Sequence, residues 1–249
     1  MKTVNSVKEM LDHPPQKSRA FIPTMGALHQ GHLSLIEAAK ENHDEVVVSI
    51  FVNPTQFNQK TDLENYPRDL DSDKEKLKSL GVDILFLPTF EQMYPDNYHY
   101  KITENEFSKL LCGAHRPGHF DGVLSIVMKL FNIVKPREAF FGEKDYQQFQ
   151  LLKAMVEAFF MDLKITSVKT KREESGLAMS SRNLLLSTKE KELAPELYKN
   201  LSDTSLSSIE IRKNLESKGF QLEYLEEIDG RRYIAAHLGK VRLIDNVSI

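Results

Sequence analysis

The chain has 249 residues, with 33 Lys and Arg against 36 Asp and Glu, a formal net charge of −3, and 41% hydrophobic and 28% charged residues. That composition is globular rather than disordered or fibrous, and it offers no excess of cations to displace counterions from a polyanion, so nucleic acid is not an expected partner. No run approaches the roughly eighteen apolar residues of a membrane helix, the first residues lack the apolar core of a signal peptide, and the single Cys112 cannot form an internal disulfide, which together lead to an expectation of a cytoplasmic protein.

In chain order, residues 19–24 predict a short strand and 31–42 a helix with Leu33, Ile36 and Ala39 on one face. Residues 45–52 are rich in β-branched side chains and predict a buried strand. A charged helix over 70–80 ends at Gly81, a natural C-cap, and a strand over 82–87 stops at Pro88. Residues 121–134 carry Val123, Ile126, Val127, Leu130, Phe131 and Val134 as a continuous apolar stripe, ended by Pro136. A strand over 138–141, a helix over 146–160 with Phe149, Leu152, Val156 and Phe159 inward, and a strand over 163–168 follow. This alternation implies βαβ units and a parallel sheet, with ligands outside the carboxyl ends of its strands at the topological switch point. The tail differs: helices over 187–200 and 209–218, then strands over 220–228, 233–238 and 241–244 at meander spacing. A boundary near Thr170 is expected, giving domains of 1–169 and 170–249, with no internal repeat.

Three segments carry chemistry. Pro23–Thr24–Met25–Gly26–Ala27–Leu28–His29–Gln30–Gly31–His32 joins a strand to a helix start, where backbone N–H groups and the helix dipole favour an anion. His29 and His32 can donate to a phosphate there; a plain capping turn or a metal pair are the alternatives, and a metal pair lacks further Cys or His ligands nearby in sequence. Phe141–Gly142–Glu143–Lys144–Asp145 is a second strand-to-helix turn, with Lys144 as a point charge for phosphate and Gln148 on the face of Asp145; it also reads as an ordinary charged turn. Met179–Ser180–Ser181–Arg182 gathers phosphate donors, or a helix cap, beside a charged stretch that suggests a mobile loop. Asn53–Pro54–Thr55–Gln56 follows the second strand, where its amides could read a small polar substrate or simply form a turn. Arg116 could meet a phosphate, or lie in a turn that Asp121 caps. Cys112 reads as a buried or half-buried thiol with no base beside it.

Five motifs in this order resemble the pantoate–β-alanine ligase family: Pro-Thr-Met-Gly-Ala-Leu-His-x-Gly-His at 23–32, Phe-Val-Asn-Pro-Thr-Gln-Phe at 51–57, Arg-Pro-Gly-His-Phe-Asp-Gly at 116–122, Phe-Gly-Glu-Lys-Asp at 141–145 and Gly-Leu-Ala-Met-Ser-Ser-Arg-Asn at 176–183. The resemblance is strong over 1–190 and weak in a tail shorter than the family's. It implies an α/β fold, a Rossmann-like parallel sheet with helices on both faces plus a small α+β C-terminal lid domain, in a homodimer that uses ATP and Mg²⁺. The implied reaction joins pantoate to β-alanine through a pantoyl adenylate, releasing pyrophosphate and then AMP.

By position, the resemblance assigns Met25, Gly26, His29, Gly31, His32, Gly142, Lys144, Asp145, Lys171, Met179, Ser180, Ser181 and Arg182 to ATP. His32 stands where the family has a proton donor, but His29 and His32 are better read as phosphate donors, because a carboxylate displacing pyrophosphate needs no proton. His29, His32, Lys144 and Arg182 are therefore the expected catalytic set. Gln56 and Gln148 correspond to the pantoate contacts, Gln56 also to a β-alanine contact, with Asn53 and Arg116 secondary. Lys171 replaces a usually apolar residue whose backbone meets adenine. Ser72 separates Asp71 from Asp73 where the family often has adjacent aspartates, leaving Asp73 as the expected metal contact. A different nucleotidyltransferase of the His-x-Gly-His superfamily would leave Gln56 and Gln148 without pantoate to hold, and a non-catalytic nucleotide-binding protein would not need the intact phosphate donors.

Overall fold

The computed structural model describes residues 1–15 and 17–249. Its elements run β1 (Lys2–Val4), α1 (Val7–Leu11), β2 (Arg19–Thr24), α2 (Gln30–Lys40), β3 (Glu45–Ile50), α3 (Lys60–Glu64), α4 (Leu70–Ser79), β4 (Ile84–Phe86), α5 (Phe90–Met93), α6 (Cys112–His115), α7 (His119–Val134), β5 (Glu138–Gly142), α8 (Tyr146–Ala158), β6 (Lys164–Val168), α9 (Thr188–Leu193), α10 (Glu196–Leu201), α11 (Ser208–Ser217), β7 (Phe220–Ile228), β8 (Arg231–Leu238) and β9 (Val241–Ser248). Two compact units result, one of Met1–Glu143 with Gln147–Val168, the other of Lys144–Tyr146 with Lys169–Ile249.

The first unit is built on a parallel sheet of order β1-β4-β3-β2-β5-β6. The chain lays β2, β3 and β4 in one direction and then returns to add β5 and β6 on the far side of β2. The direction reverses between β2 and β5, so the crevice beyond Thr24 and Gly142 is the switch point. Strand side chains alternate. Ala20, Ile22, Val46, Val48, Leu85 and Phe140 bury against Leu35, Ile36 and Ala39 of α2 and Leu77 of α4. From the opposite face, Phe21 and Phe141 each meet Phe131 of α7 edge-on, with centroids 6.4 Å apart in both pairs. Both faces are thus covered by helices, and each large apolar side chain sealed this way contributes roughly 1.5–3 kcal/mol.

Differences from the sequence reading have local causes. Strand β1 is too short for periodicity to reveal, yet it pairs with β4 from Lys2↔Ile84 to Val4↔Phe86. Helix α7 begins two residues early, after Gly118 in the left-handed region, so Asp121 lies inside the first turn and pairs with Lys101 at 2.8 Å instead of capping. Helix α8 ends at Ala158, and Phe159, which still donates its N–H to the Met155 carbonyl, is 55% exposed, not inward. The single helix expected over 187–200 is two, because Pro195 stands between α9 and α10 and has no N–H to continue the ladder.

The second unit is an antiparallel meander, β7-β8-β9, packed on its helices. Leu197, Leu201, Ile211, Leu215, Ile234, Ala236 and Leu243 form its core. Strands β8 and β9 run longer than their apolar stretches suggest, since the ladder continues through Arg231↔Ser248 and Tyr233↔Asn246.

Candidate active site

The loop at the switch point is tied down from below. Thr24 ends β2, donates its hydroxyl to the Ser49 carbonyl at 2.8 Å and accepts the Gly26 N–H at 3.2 Å. Gly26 takes φ +82°, where a Cβ would also stand 3.0 Å from Ile50 Cγ2, so glycine is the fitting residue. The next two N–H groups, of Ala27 and Leu28, donate to the two carboxylate oxygens of Asp73 at 2.8 and 2.7 Å. Asp73 comes from α4 and is 1% exposed. Burial pushes its carboxyl above the usual range, against the opposing pull of the Leu28 and Ala27 N–H groups. This corrects two expectations. Part of the loop's N–H array is engaged by the chain's own carboxylate rather than aimed at an anion. Asp73 is the loop's anchor, its oxygens turned to backbone rather than to a metal. Among the described residues no group of three or more His, Cys, Asp or Glu could hold a metal ion. No step is assigned to a protein-held Mg²⁺.

His29 caps α2. Its Nδ1 accepts the Gly31 N–H at 3.1 Å, and the Nδ1 of His32 accepts the His29 N–H at 3.3 Å, a reciprocal capping box made of two imidazoles. A nitrogen that accepts an N–H carries no proton of its own, so in the neutral form both rings hold their proton on Nε2. The rings lie 4.1 Å apart and 36° from parallel. Capping and phosphate donation are therefore compatible: the cap uses Nδ1 and fixes Nε2–H as the donor. Met25 lies beside the loop, its Sδ 3.2 Å from Gln56 Nε2.

Gln56 sits in the short 3₁₀ turn Pro54–Gln56, which α7 presses from one side. A Cβ on Gly122 would lie 2.6 Å from the Thr55 carbonyl oxygen, so only glycine lets the helix come this close. The Gly122→Ala variant is expected to lose about 1–3 kcal/mol of stability by overpacking a backbone contact, measured by urea unfolding. An unchanged midpoint would show that the turn yields freely. Gln56's carbonyl meets Arg116 Nη2 at 3.2 Å and His119 Nδ1 at 2.8 Å. Arg116 also meets His119 Nε2 at 3.1 Å. Its guanidinium thus holds the Gln56 turn, whereas the sequence suggested a phosphate or substrate contact. Asn53, also expected to touch substrate, is 1% exposed and bonded entirely within the protein.

Gln148 stands half-buried in the first turn of α8, after the switch-point strand β5, which ends at Gly142. A Cβ on Gly142 would meet nothing within 4 Å, so open space lies beside this backbone. The neighbouring Gln147 is structural, donating to the Phe107 and Leu110 carbonyls and accepting the Cys112 N–H. Tyr94, His119 and Gly122 escaped the sequence reading as supports of Gln56. The last two lie in a motif already noted, but nothing local marks Tyr94.

In the second unit, Lys144 Nζ lies 3.5 Å from Asp145 Oδ2, and the Lys144 carbonyl accepts Asn246 Nδ2 at 3.0 Å. Arg231 bonds Asn246 Oδ1 and stacks 3.7 Å above the Tyr146 ring. The tail strands therefore hold the Lys144 turn, a link no sequence spacing reveals. Lys171 and Met179 come together, the Met179 N–H donating to the Lys171 carbonyl at 3.0 Å beside an Arg172↔Ala178 bridge. Arg172 is fixed by Asp245 at 2.6 and 2.9 Å. The stretch that suggested a loop is thus a tied hairpin. Ser180 caps the 3₁₀ helix Ser181–Leu185 by accepting the Arg182 N–H at 3.2 Å, and Ser181 is buried.

A family model described as pantoate-beta-alanine ligase matches residues 1–248. The match includes the tail, where the sequence motifs had suggested little likeness. Pantothenate synthetase of Bdellovibrio bacteriovorus is 56% identical over 229 residues, covering 92% of this chain and 91% of that protein. The enzyme of the same name from Legionella pneumophila strain Lens is 52% identical, with 93% and 92% covered. Among solved structures, the pantoate-β-alanine ligase of Francisella tularensis, complexed with β-γ ATP and β-alanine, superposes with a TM-score of 0.95 at 42% identity, covering 100% of this chain and 97% of that one. A switch-point loop capped by two imidazoles, an amide held beside it and a sequence match from end to end agree: the chain belongs to the pantoate–β-alanine ligase family.

Proposed function

We propose that this protein condenses pantoate with β-alanine at the expense of ATP. Pantoate's carboxylate oxygen attacks the α-phosphorus, forming an acyl–phosphate bond as the bond to pyrophosphate breaks. The β-alanine amine, entering neutral, attacks the acyl carbon, loses a proton to solvent and expels AMP. The observation that carries this reading is the paired-imidazole cap at the switch point. It places two imidazoles, each with its neutral-form proton on Nε2, at a helix N-terminus. Phosphoryl transfer asks for positioning and for donors to developing charge, and this arrangement supplies both.

Within the first unit, His29 and His32 are proposed as phosphate donors, Met25, Gly26, Gly31 and Gly142 as backbone lining, and Gln56 and Gln148 as the amides that meet pantoate. Lys144, Asp145, Lys171, Met179, Ser180, Ser181 and Arg182 are proposed as the second unit's nucleotide contacts, with Lys144 and Arg182 supplying charge. Mg²⁺, where the reaction uses it, is expected to arrive with the triphosphate, whose oxygens suit a hard cation. A cytoplasmic homodimer is part of the same proposal.

Incubation with ATP, Mg²⁺, pantoate and β-alanine should give AMP, pyrophosphate and pantothenate in equal amounts. Formation of ADP, or turnover only with a different acid, would overturn the assignment.

A further inference from the structure

Asn53 lies at the carboxyl end of β3, buried, with both halves of its amide bonded. Oδ1 accepts the Thr55 N–H at 3.4 Å, the Thr55 hydroxyl at 3.0 Å and the Tyr94 hydroxyl at 2.9 Å. Nδ2 donates to the Gly122 carbonyl at 3.2 Å and to Gln56 Oε1 at 3.1 Å. Two of these partners have no choice of role: a backbone N–H can only donate and a backbone carbonyl can only accept. They fix the Asn53 amide in one orientation. Its second Nδ2 hydrogen therefore fixes Gln56 as well, with Oε1 turned to Asn53 and Nε2 turned away, towards Met25 Sδ at 3.2 Å. A thioether is a weak acceptor, so a ligand oxygen can readily take its place.

Tyr94 closes this chain of bonds. It is 1% exposed, its ring packs near those of Phe51, Phe90 and Tyr98, and Lys129 Nζ lies 4.4 Å from its centre. Burial raises its phenol to about 12, so the hydroxyl keeps its proton and remains a donor across the neutral range. The arrangement has a direction: Tyr94 donates to Asn53, and Asn53 donates to Gln56.

From this direction we infer that Asn53, oriented by the backbone and anchored through its Oδ1 by Tyr94, is a positioning residue that sets the polarity of Gln56, so that this corner of the site binds a ligand oxygen and turns away an ammonium group. The inference rests on the proposed function, and it names what Gln56 reads: a hydroxyl or carboxylate oxygen of the hydroxy acid, taken as acceptor. It also gives Asn53 a purpose without any contact to substrate.

Steady-state kinetics of three variants test it, with melting curves to confirm folding. Tyr94→Phe keeps the ring and removes the donor. Its KM for pantoate should rise about five- to tenfold, the order of one neutral hydrogen bond, while KM for ATP stays within about twofold. Gln56→Glu leaves an acceptor for Asn53 but presents a second acceptor outward, and should raise the pantoate KM by more than about tenfold. Asn53→Asp replaces the donor with an acceptor, turns Gln56 over, and should weaken pantoate similarly. An unchanged pantoate KM in Tyr94→Phe, or equal rises for pantoate and ATP, would overturn the relay, and so would wild-type pantoate affinity in Gln56→Glu. Wild-type protein that fails to turn over pantoate at all would instead defeat the proposed function.

Discussion

Replacing His29 by Asn should leave the melting temperature within about 2 °C of wild type and slow acyl-adenylate formation about a hundredfold, the loss that accompanies one preorganised donor to a charged transition state, or roughly 2.7 kcal/mol. The two halves of this expectation separate the two functions of the imidazole. As a cap, His29 needs only an acceptor that reaches the Gly31 N–H, and the Asn side chain is among the best residues for that purpose. As a phosphate donor, it needs Nε2–H at the far side of the ring, which the shorter Asn cannot place there. His29→Ala removes both and should lose about 1 kcal/mol of stability as well as the rate. Pyrophosphate–ATP exchange with pantoate isolates the first chemical step. If Asn restores stability and rate together, His29 is a cap and nothing more, and the phosphate reading fails with it.

The strand–helix alternation, the apolar stripe of α7 and the tail meander were legible because each repeats with a period that burial imposes. The predicted strand over 19–24 coincides with β2, and that over 220–228 with β7. The position of the switch-point loop was legible too, since a Gly-punctuated segment between a predicted strand and a predicted helix has to turn there. What could not be read were bonds between distant segments. Asp73 lies 46 residues beyond Ala27 and holds its N–H. Asn246 lies 102 residues beyond Lys144 and holds its carbonyl. Tyr94 looks like any other core aromatic until its hydroxyl is found on Asn53. Composition at a position tells which groups could bond, but partner choice across the chain is decided by packing. For the same reason the bonds by which Asn53 and Arg116, which sequence places correctly near Gln56, hold that residue could not be read from the motif. Polar residues of a motif support one another as often as they face a ligand.

Asp73 gives the sharpest test of that distinction, because its two possible roles predict different failures. As the anchor of the switch-point loop it accepts two charge-assisted bonds in a buried setting, from Ala27 and Leu28, while Lys76 holds the Leu28 carbonyl at 2.8 Å. In Asp73→Asn one oxygen remains, and the amide NH₂ faces an N–H that then has no acceptor. The expected loss is about 3 kcal/mol, from one buried donor left unsatisfied and one charge-assisted bond weakened. The loop also carries Ala27 at φ +50°, a left-handed conformation that the carboxylate helps to hold, so its release should let the start of α2 drift and slow the first chemical step alongside the stability loss. Urea unfolding gives the first quantity and pyrophosphate exchange the second. A Mg²⁺ titration of activity at saturating ATP decides between the two roles. An anchor leaves the half-saturating Mg²⁺ concentration unchanged, whereas loss of a metal contact should raise it by about tenfold or more. A raised Mg²⁺ requirement with wild-type stability would return Asp73 to the metal and leave the loop to be held by Thr24 and the α2 cap alone.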